Sequence, residues 1–178
     1  ARHKLSTRTG DVRVLAAFPS KHVVARDVLV WLPPGYSTDP TRRYPVVYFN
    51  DGNNVFDDST GFAGEWRLDE TADALIAAGR VPPFIAVAVY NTPDRIGEYT
   101  PVADPRHGGG RAGDYARFLI EELKPAIDRG YRTRTDAAST GLVGSSLGGL
   151  VSLSIAIDHP DVFGLVGAVS PSAWWAGD

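Results

Sequence analysis

The distribution of hydrophobic and polar positions divides the chain into predicted strands that alternate with predicted helices. Two segments with partial alternation, residues 11–18 and 24–32, predict an antiparallel pair of strands at the edge of a sheet. Continuous apolar runs at residues 44–49 and 84–90 predict buried strands, and a last strand is predicted at 165–169. The inner strands are therefore expected to be covered on both faces.

Helical spacing appears between these strands. Residues 66–79 carry apolar side chains at helical intervals, and a second helix, capped by Asp114, is predicted to bury one apolar face made of Tyr115, Phe118, Leu119, Leu123 and Ile127. Strands that alternate with helices predict an α/β fold with a mostly parallel sheet and helices on both faces. Because no internal repeat or linker interrupts the pattern, residues 1–178 are predicted to form a single domain.

Composition and charge narrow the classes of function. The net charge is −3 with scattered Lys and Arg, so we expect no nucleic-acid partner. No apolar run approaches the ~18 residues of a membrane span, so none is expected. The absence of Cys, four His without ligand spacing, and the absence of glycine-rich nucleotide motifs predict no metal site and no cofactor. The compartment stays open between cytoplasmic and exported with a leader removed.

Residues 144–148 form the pattern G-x-S-x-G with Ser146 at its centre. A predicted strand at 139–143 precedes it and a predicted helix at 149–157 follows it, which is the setting of a nucleophile elbow. Ser146 is therefore the candidate nucleophile, and the backbone N–H of Leu147, at the start of the helix, is a candidate oxyanion donor. The plainer interpretation is a chance match in a chain with 19 glycines, and the flanking strand and helix argue against it.

A long segment without periodicity, residues 91–113, is predicted to be a loop, and such loops in compact domains are often functional. Glu98 and Tyr99 within it are candidate substrate-binding residues, with an ordered turn as the alternative. Trp174 and Trp175 follow the last predicted strand on the same side as the elbow, and are candidates to line an acyl or aromatic pocket. Their alternative role is packing at the end of the sheet.

Five segments, in order along the chain, resemble a known family. They are residues 30–36 (VWLPPGY), 44–48 (YPVVY) with Asp51-Gly52, 97–101 (GEYTP), 144–149 (GSSLGG) and 170–175 (SPSAWW). Together they resemble the α/β-hydrolase superfamily, and more narrowly the esterase group that includes enterochelin, feruloyl and acetyl-xylan esterases and esterase D. The likeness is strongest to the enterochelin-esterase-like branch.

The resemblance implies an α/β-hydrolase fold and ester hydrolysis through an acyl-enzyme on Ser146. The substrate would be a small-molecule or carbohydrate-linked ester of siderophore, feruloyl, acetyl or simple acyl type, and no cofactor is implied. The resemblance also places the second oxyanion donor in the turn after the third strand. There the Asn53 N–H is favoured and the Gly52 N–H is the alternative, while a plain strand-end turn is the simpler interpretation.

Members of the family continue past the Trp-Trp motif with two further strands, which bring first an Asp and then a His to the serine. This sequence ends before either, so the triad Asp and His and the C-terminal strands are expected to be missing from it. His159 lies roughly 20 Å from Ser146 along the predicted helix, and nothing in the sequence leads His3 or His22 to the site. His107 is the remaining candidate base, with an ordinary surface histidine as the alternative.

Without those further strands, the strand at 165–169 would form an apolar, unpaired edge that favours a second chain or self-association. Three explanations stay open: a fragment whose remainder lies elsewhere, a complete chain that dimerises through this edge, and a short inactive relative. The second functional hypothesis is a non-catalytic module of the same fold that binds a ligand or partner through the open edge and the Trp-Trp region.

Overall fold

A computed structural model describes residues 8–177 and contains a six-stranded sheet with strand order β1-β2-β4-β3-β7-β8 and a separate two-stranded ribbon, β5-β6. The strands are β1 Asp11–Phe18, β2 Arg26–Leu32, β3 Val46–Phe49, β4 Ile85–Val89, β5 Ala103–Asp104, β6 Gly108–Gly109, β7 Thr140–Ser145 and β8 Leu165–Val169. β2 is antiparallel to β1 and β4, whereas β3 is parallel to β4 and β7, and β7 is parallel to β8. The predicted antiparallel pair at one edge and the mostly parallel sheet are confirmed.

The helices are α1 Leu68–Ala77, α2 Arg95–Glu98, α3 Ala112–Arg117, α4 Lys124–Gly130 and α5 Leu147–Asp158. A π-helical segment, Phe118–Leu123, joins α3 to α4, and the predicted apolar face of this helix is fully buried. The predicted cap at Asp114 is wrong, because the helix begins at Ala112, whose N–H donates to the Thr100 carbonyl at 3.1 Å. Within residues 8–177, no helix is long and apolar enough to cross a membrane.

The inner strands supply two hydrophobic cores, one on each face of the sheet. In β2, Val28 and Val30 face a core shared with α3, α4 and α5, while Leu29 and Trp31 face a second core shared with α1. All five residues of β4 are fully buried. Burial on both faces explains why these strands appear in the sequence as continuous apolar runs without alternation.

The segment predicted to be a loop, residues 91–113, contains α2 and the β5-β6 ribbon. A buried ion pair holds α2 against the sheet: the Arg26 guanidinium donates to both carboxylate oxygens of Glu98 at 2.8 and 2.7 Å. Burial is the largest influence on the pKa of Arg26 and lowers it, but the hydrogen bonds and charge of Glu98, together with Tyr115 and Tyr99, raise this pKa overall. This segment is therefore fixed by polar contacts with residues distant in sequence, which leave no periodic pattern.

The edge strand β8 exposes apolar side chains on both faces of the sheet. Leu165, Val166 and Val169 are 51%, 46% and 52% exposed, and among the described residues β8 is paired only with β7. A strand edge of this kind offers unpaired backbone groups beside apolar surface, which favours pairing with another chain.

We expect the purified 178-residue chain to self-associate along β8. Val166→Lys should shift the chain toward monomer, because a lysine on the edge opposes strand pairing. Light scattering over a range of protein concentrations measures the molar mass of the particles in solution. Val14→Lys, at a residue with 47% exposure on the opposite edge strand β1, is the matched control. A monomeric mass for the unmodified chain at every concentration would contradict the prediction.

In the first turn of α1, Asp69 is fully buried, and its Oδ2 accepts a hydrogen bond from the Thr9 N–H at 2.6 Å. Burial raises the pKa of Asp69 from 3.8 to about 6, the Thr9 N–H opposes this increase, and hydrogen bonding with Glu70 adds to it. The folded protein therefore binds a proton in a pH interval in which the unfolded chain has released it.

This difference predicts that stability falls as pH rises. The contribution of protonated Asp69 is complete below about pH 3.8 and is lost as pH rises through about 6. Relative to Asp69→Asn, the free energy of unfolding should decrease by about 1–3 kcal/mol between pH 4 and pH 7. Urea denaturation at both pH values measures it, and Asp161→Asn, at an exposed position, controls for the loss of one negative charge. Equal pH dependence in wild type and Asp69→Asn would refute the assignment.

Candidate active site

Ser146 occupies the single-residue turn between β7 and α5, the strand–turn–helix arrangement that the sequence predicts. Its backbone angles, φ 55° and ψ −122°, are strained for a residue with a side chain. Three hydrogen bonds hold the turn: the Ser146 N–H donates to the Val169 carbonyl at 3.1 Å, and its carbonyl accepts from the N–H groups of Leu150 and Ser172, each at 3.0 Å. The surrounding structure thus enforces a conformation that the isolated residue disfavours.

The glycines of the motif lie at close contacts. A Cβ at Gly144 would lie 2.3 Å from the carbonyl oxygen of Gly148, a distance that no side chain tolerates. A Cβ at Gly148 would lie 3.1 Å from Asp51 Oδ2. The motif therefore allows β7 and α5 to approach each other and allows the turn after β3 to dock on α5.

The Ser146 hydroxyl is at an exposed position and lies 3.0 Å from the hydroxyl of Ser172, which is buried. Ser172 follows β8, and because β8 runs parallel to β7 its carboxyl end lies beside the elbow. Sequence reasoning did not single out Ser172, although it belongs to the SPSAWW segment and follows the strand after the elbow. Within residues 8–177, the hydrogen-bond partner of the Ser146 hydroxyl is Ser172 and not a histidine.

Two backbone N–H groups lack an acceptor within their own helical turns. Leu147 is the first residue of α5, and Asn53 lies in the 3-10 turn Gly52–Asn54 directly after β3. Gly52 itself is packed against β4, because a Cβ there would lie 2.4 Å from the backbone carbonyl carbon of Ala88. Of the two candidate donor residues in this turn, Asn53 is partly exposed and Gly52 is buried.

A buried amide fixes this turn to the elbow helix. Asn50 donates from Nδ2 to the Gly148 carbonyl at 3.2 Å and to the Ser152 hydroxyl at 2.9 Å. Its Oδ1 accepts from the Tyr115 hydroxyl at 2.7 Å. The turn after β3 is therefore docked on the first turn of α5, which brings the segments of Asn53 and Leu147 to the same edge of the sheet.

Asp51 occupies the left-handed position at the start of the turn, with φ 55°. Its carboxylate accepts from Arg95 Nε and Nη2 at 2.6 and 2.7 Å and from Asn91 Nδ2 at 2.6 Å. Its N–H donates to the Tyr99 hydroxyl at 3.0 Å. Burial is the largest influence on the pKa of Arg95 and lowers it, but the hydrogen bonds and charge of Asp51, together with Tyr99, raise this pKa overall.

Glu98 and Tyr99, the predicted substrate-binding residues of the long segment, are buried at 1% and 0% exposure. Glu98 is paired with Arg26, and the Tyr99 hydroxyl accepts from the Asp51 N–H. Burial raises the pKa of Tyr99 well above 10.0, so the phenol stays protonated. Both residues therefore make contacts inside the protein, and the predicted contact with a substrate is wrong for them.

The two tryptophans differ in their surroundings. Trp175 is 9% exposed and donates from Nε1 to the Val102 carbonyl at 2.8 Å, whereas Trp174 is 66% exposed. Trp174, Asp104 and His107 help to line a cavity of about 370 Å³. Trp175 thus packs against the β5-β6 ribbon, and Trp174 is the tryptophan that a ligand could contact.

His107 lies in this ribbon and hydrogen-bonds through Nδ1 to Asp104 Oδ1 at 2.9 Å. Backbone N–H groups of Arg106 and His107, together with the His107 ring, lower the pKa of Asp104. The His107 ring centroid is 5.9 Å from that of Trp175. The structure therefore brings an Asp–His pair to the neighbourhood of the Trp-Trp segment without a hydrogen bond to Ser146.

The two other histidines in the described part of the chain have surroundings away from the elbow turn. His22 lies 3.1 Å from a carboxylate oxygen of Glu121, and His159 lies at the end of α5 opposite Ser146. His3 lies outside the described residues.

One group of carboxylates, Glu65, Asp69 and Glu70, brings potential ligand atoms within 4.8 Å of one another in the described part of the chain. Asp69 and Glu70 belong to the first turn of α1. This helix packs on the face of the sheet opposite to α5, so the group is separated from the elbow by the sheet.

Comparison of the chain with known proteins identifies a family, sequence relatives and similar structures. The family model described as "Putative esterase" matches residues 24–178. The ferri-bacillibactin esterase of Bacillus subtilis is 33% identical over 155 residues, which cover 76% of this chain and 50% of that protein. Among solved structures, the BES protein from Bacillus cereus superposes with a TM-score of 0.75 at 24% identity, covering 99% of this chain and 67% of that one.

A ferulic acid esterase from the anaerobic fungus Anaeromyces mucronatus superposes with a TM-score of 0.67 at 26% identity, covering 96% of this chain and 62% of that one. The chain spans 58%, 19% and 64% of the length of three curated relatives that it matches. The chain has the α/β-hydrolase fold, as its strand order, its strand–turn–helix elbow and its superposition on these structures show. With a family model matched over residues 24–178, the chain belongs to the "Putative esterase" family of α/β-hydrolase-type esterases.

Proposed function

We propose that the protein is a serine esterase that cleaves a carboxylic ester through an acyl-enzyme on Ser146. The observation that carries this proposal is the exposed residue Ser146 on a strained turn at the amino end of α5, in a chain of an esterase family. The names of the relatives favour siderophore and feruloyl esters as substrates, beside acetyl and simple acyl esters.

In this mechanism, Ser146 Oγ attacks the ester carbonyl carbon while its proton passes to a base. The carbonyl oxygen becomes an oxyanion, which accepts hydrogen bonds from the Leu147 N–H and the Asn53 N–H, with the Gly52 N–H as the alternative second donor. The amino end of α5 adds its positive dipole at the same place. The alcohol leaves with a proton, and a water molecule then attacks the acyl carbon, releases the acid and returns the proton to Ser146.

The base is proposed to come from outside residues 1–178, as part of a triad Asp and His. Two observations support this. The Ser146 hydroxyl is hydrogen-bonded to Ser172 within the described residues, and the matched relatives are longer than this chain. His107, oriented by Asp104, is the alternative base within the chain.

Trp174 is proposed to contact the acyl or aromatic part of the ester, since it is exposed beside a cavity formed by the β5-β6 ribbon and the segment that follows β8. Trp175 would act as its support. The exposed β8 edge together with Trp174 favours a second candidate function, a non-catalytic module that binds a ligand or a partner chain through this region.

The test is hydrolysis of 4-nitrophenyl acetate by the protein as its gene encodes it. Ser146→Ala should reduce kcat at least about 10³-fold with an unchanged circular dichroism spectrum, because the acyl-enzyme cannot form. Ser172→Ala removes the hydroxyl next to Ser146 but not the nucleophile, so its kcat should fall by less than about tenfold. Equal hydrolysis by wild type and Ser146→Ala would rule out the proposal, and no hydrolysis by either, with retained ligand binding, would favour the module.

A further inference from the structure

Asp51 places a buried carboxylate beside the proposed oxyanion site. The residue is 5% exposed, lies two positions before Asn53, and has its Oδ2 3.1 Å from the ideal Cβ position of Gly148, in the first turn of α5. An uncompensated negative charge at this place would oppose the negative charge that develops on the substrate oxygen. The site therefore requires a positive charge that cancels Asp51.

Arg95 supplies that charge in a fixed geometry. Its guanidinium forms two parallel hydrogen bonds with the Asp51 carboxylate, at 2.6 and 2.7 Å. The rings of Phe62 and Tyr99 lie 5.6 and 5.2 Å from the guanidinium carbon. A planar guanidinium that is bidentate and stacked in this way cannot be replaced by lysine without loss of geometry.

The helix that carries Arg95 is itself anchored. Glu98, three residues further along α2, is paired with Arg26 at the start of β2, and the side chains of Arg26 and Glu98 are 1% and 2% exposed. Two consecutive ion pairs thus connect the sheet to α2 and α2 to the turn after β3. This connection ends at Asp51, directly before the Gly52–Asn54 turn that carries the Asn53 N–H.

We propose that Arg95 is a positioning residue for the esterase reaction, which holds the Asp51 turn in place and cancels its charge next to the oxyanion site. This inference rests on the proposed function. Arg95 acts through Asp51, and its removal should affect the charged transition state more than the binding of the neutral ester.

The experiment compares three variants of the full natural protein: Arg95→Met, Arg95→Lys, and Arg95→Met combined with Asp51→Asn. In Arg95→Met we expect kcat for 4-nitrophenyl acetate to fall about 10- to 100-fold while KM stays within about threefold. Arg95→Lys should be intermediate, because the charge is kept and the bidentate geometry is lost. The double variant should recover at least about threefold in kcat over Arg95→Met, because the uncompensated carboxylate is gone.

Arg117→Met is the matched control, since Arg117 is an exposed arginine paired with Asp114 at the surface of α3. A folded Arg95→Met variant with kcat within twofold of wild type would overturn the inference and leave the serine mechanism standing. A double variant no faster than Arg95→Met would overturn the charge-cancelling role.

A second readout does not depend on activity. In nitrogen-15 NMR spectra, Arg95→Met should shift the amide signals of Asn53 and Leu147, and Arg117→Met should not. If wild type does not hydrolyse the ester, the proposed function fails. In that case unchanged Asn53 and Leu147 signals in folded Arg95→Met would separately overturn the positioning role, and shifted signals would support it.

Discussion

The architecture of the site depends on one backbone turn, the residue that joins β7 to α5. Ser146 can adopt φ 55° only because its neighbours hold it there: β8 supplies the Val169 carbonyl, and the chain beyond β8 supplies the Ser172 N–H. The approach of β7 and α5 in turn requires Gly144, where a Cβ would collide with the Gly148 carbonyl. The strain at the serine is thus maintained by the parallel pairing of β7 with β8.

Around this turn, hydrogen bonds and ion pairs hold the segments together, whereas apolar packing does so elsewhere in the molecule. Asn50 ties the turn after β3 to α5, and the Arg95–Asp51 and Arg26–Glu98 pairs tie α2 to that turn and to the sheet. Buried charges are costly unless paired, so each of these contacts tolerates little rearrangement. A set of paired, directional contacts fixes backbone donors more narrowly than a hydrophobic cluster does, and that suits a site whose task is to hold an oxyanion.

The sequence was sufficient for the parts of the fold that rest on local pattern. Continuous apolar runs located β3, β4 and β8, partial alternation located β1 and β2, and the G-x-S-x-G setting located the elbow between β7 and α5. The sequence predicts a loop where α2 and the β5-β6 ribbon lie, because contacts between distant residues, such as Arg26 and Glu98 72 residues apart, leave no periodic pattern. For the same reason, the sequence predicts substrate contacts for Glu98 and Tyr99 although both are buried, and it has no local pattern that indicates Ser172 or Arg95.

The most direct test of the central claim is the intact mass of the protein, as its gene encodes it, before and after reaction with a fluorophosphonate. A fluorophosphonate bonds to a serine that has been activated as a nucleophile. We expect a single adduct, mapped by peptide mass spectrometry to the peptide that contains Ser146 and absent in Ser146→Ala. No adduct on the folded protein, or an adduct on Ser172 that persists in Ser146→Ala, would contradict it.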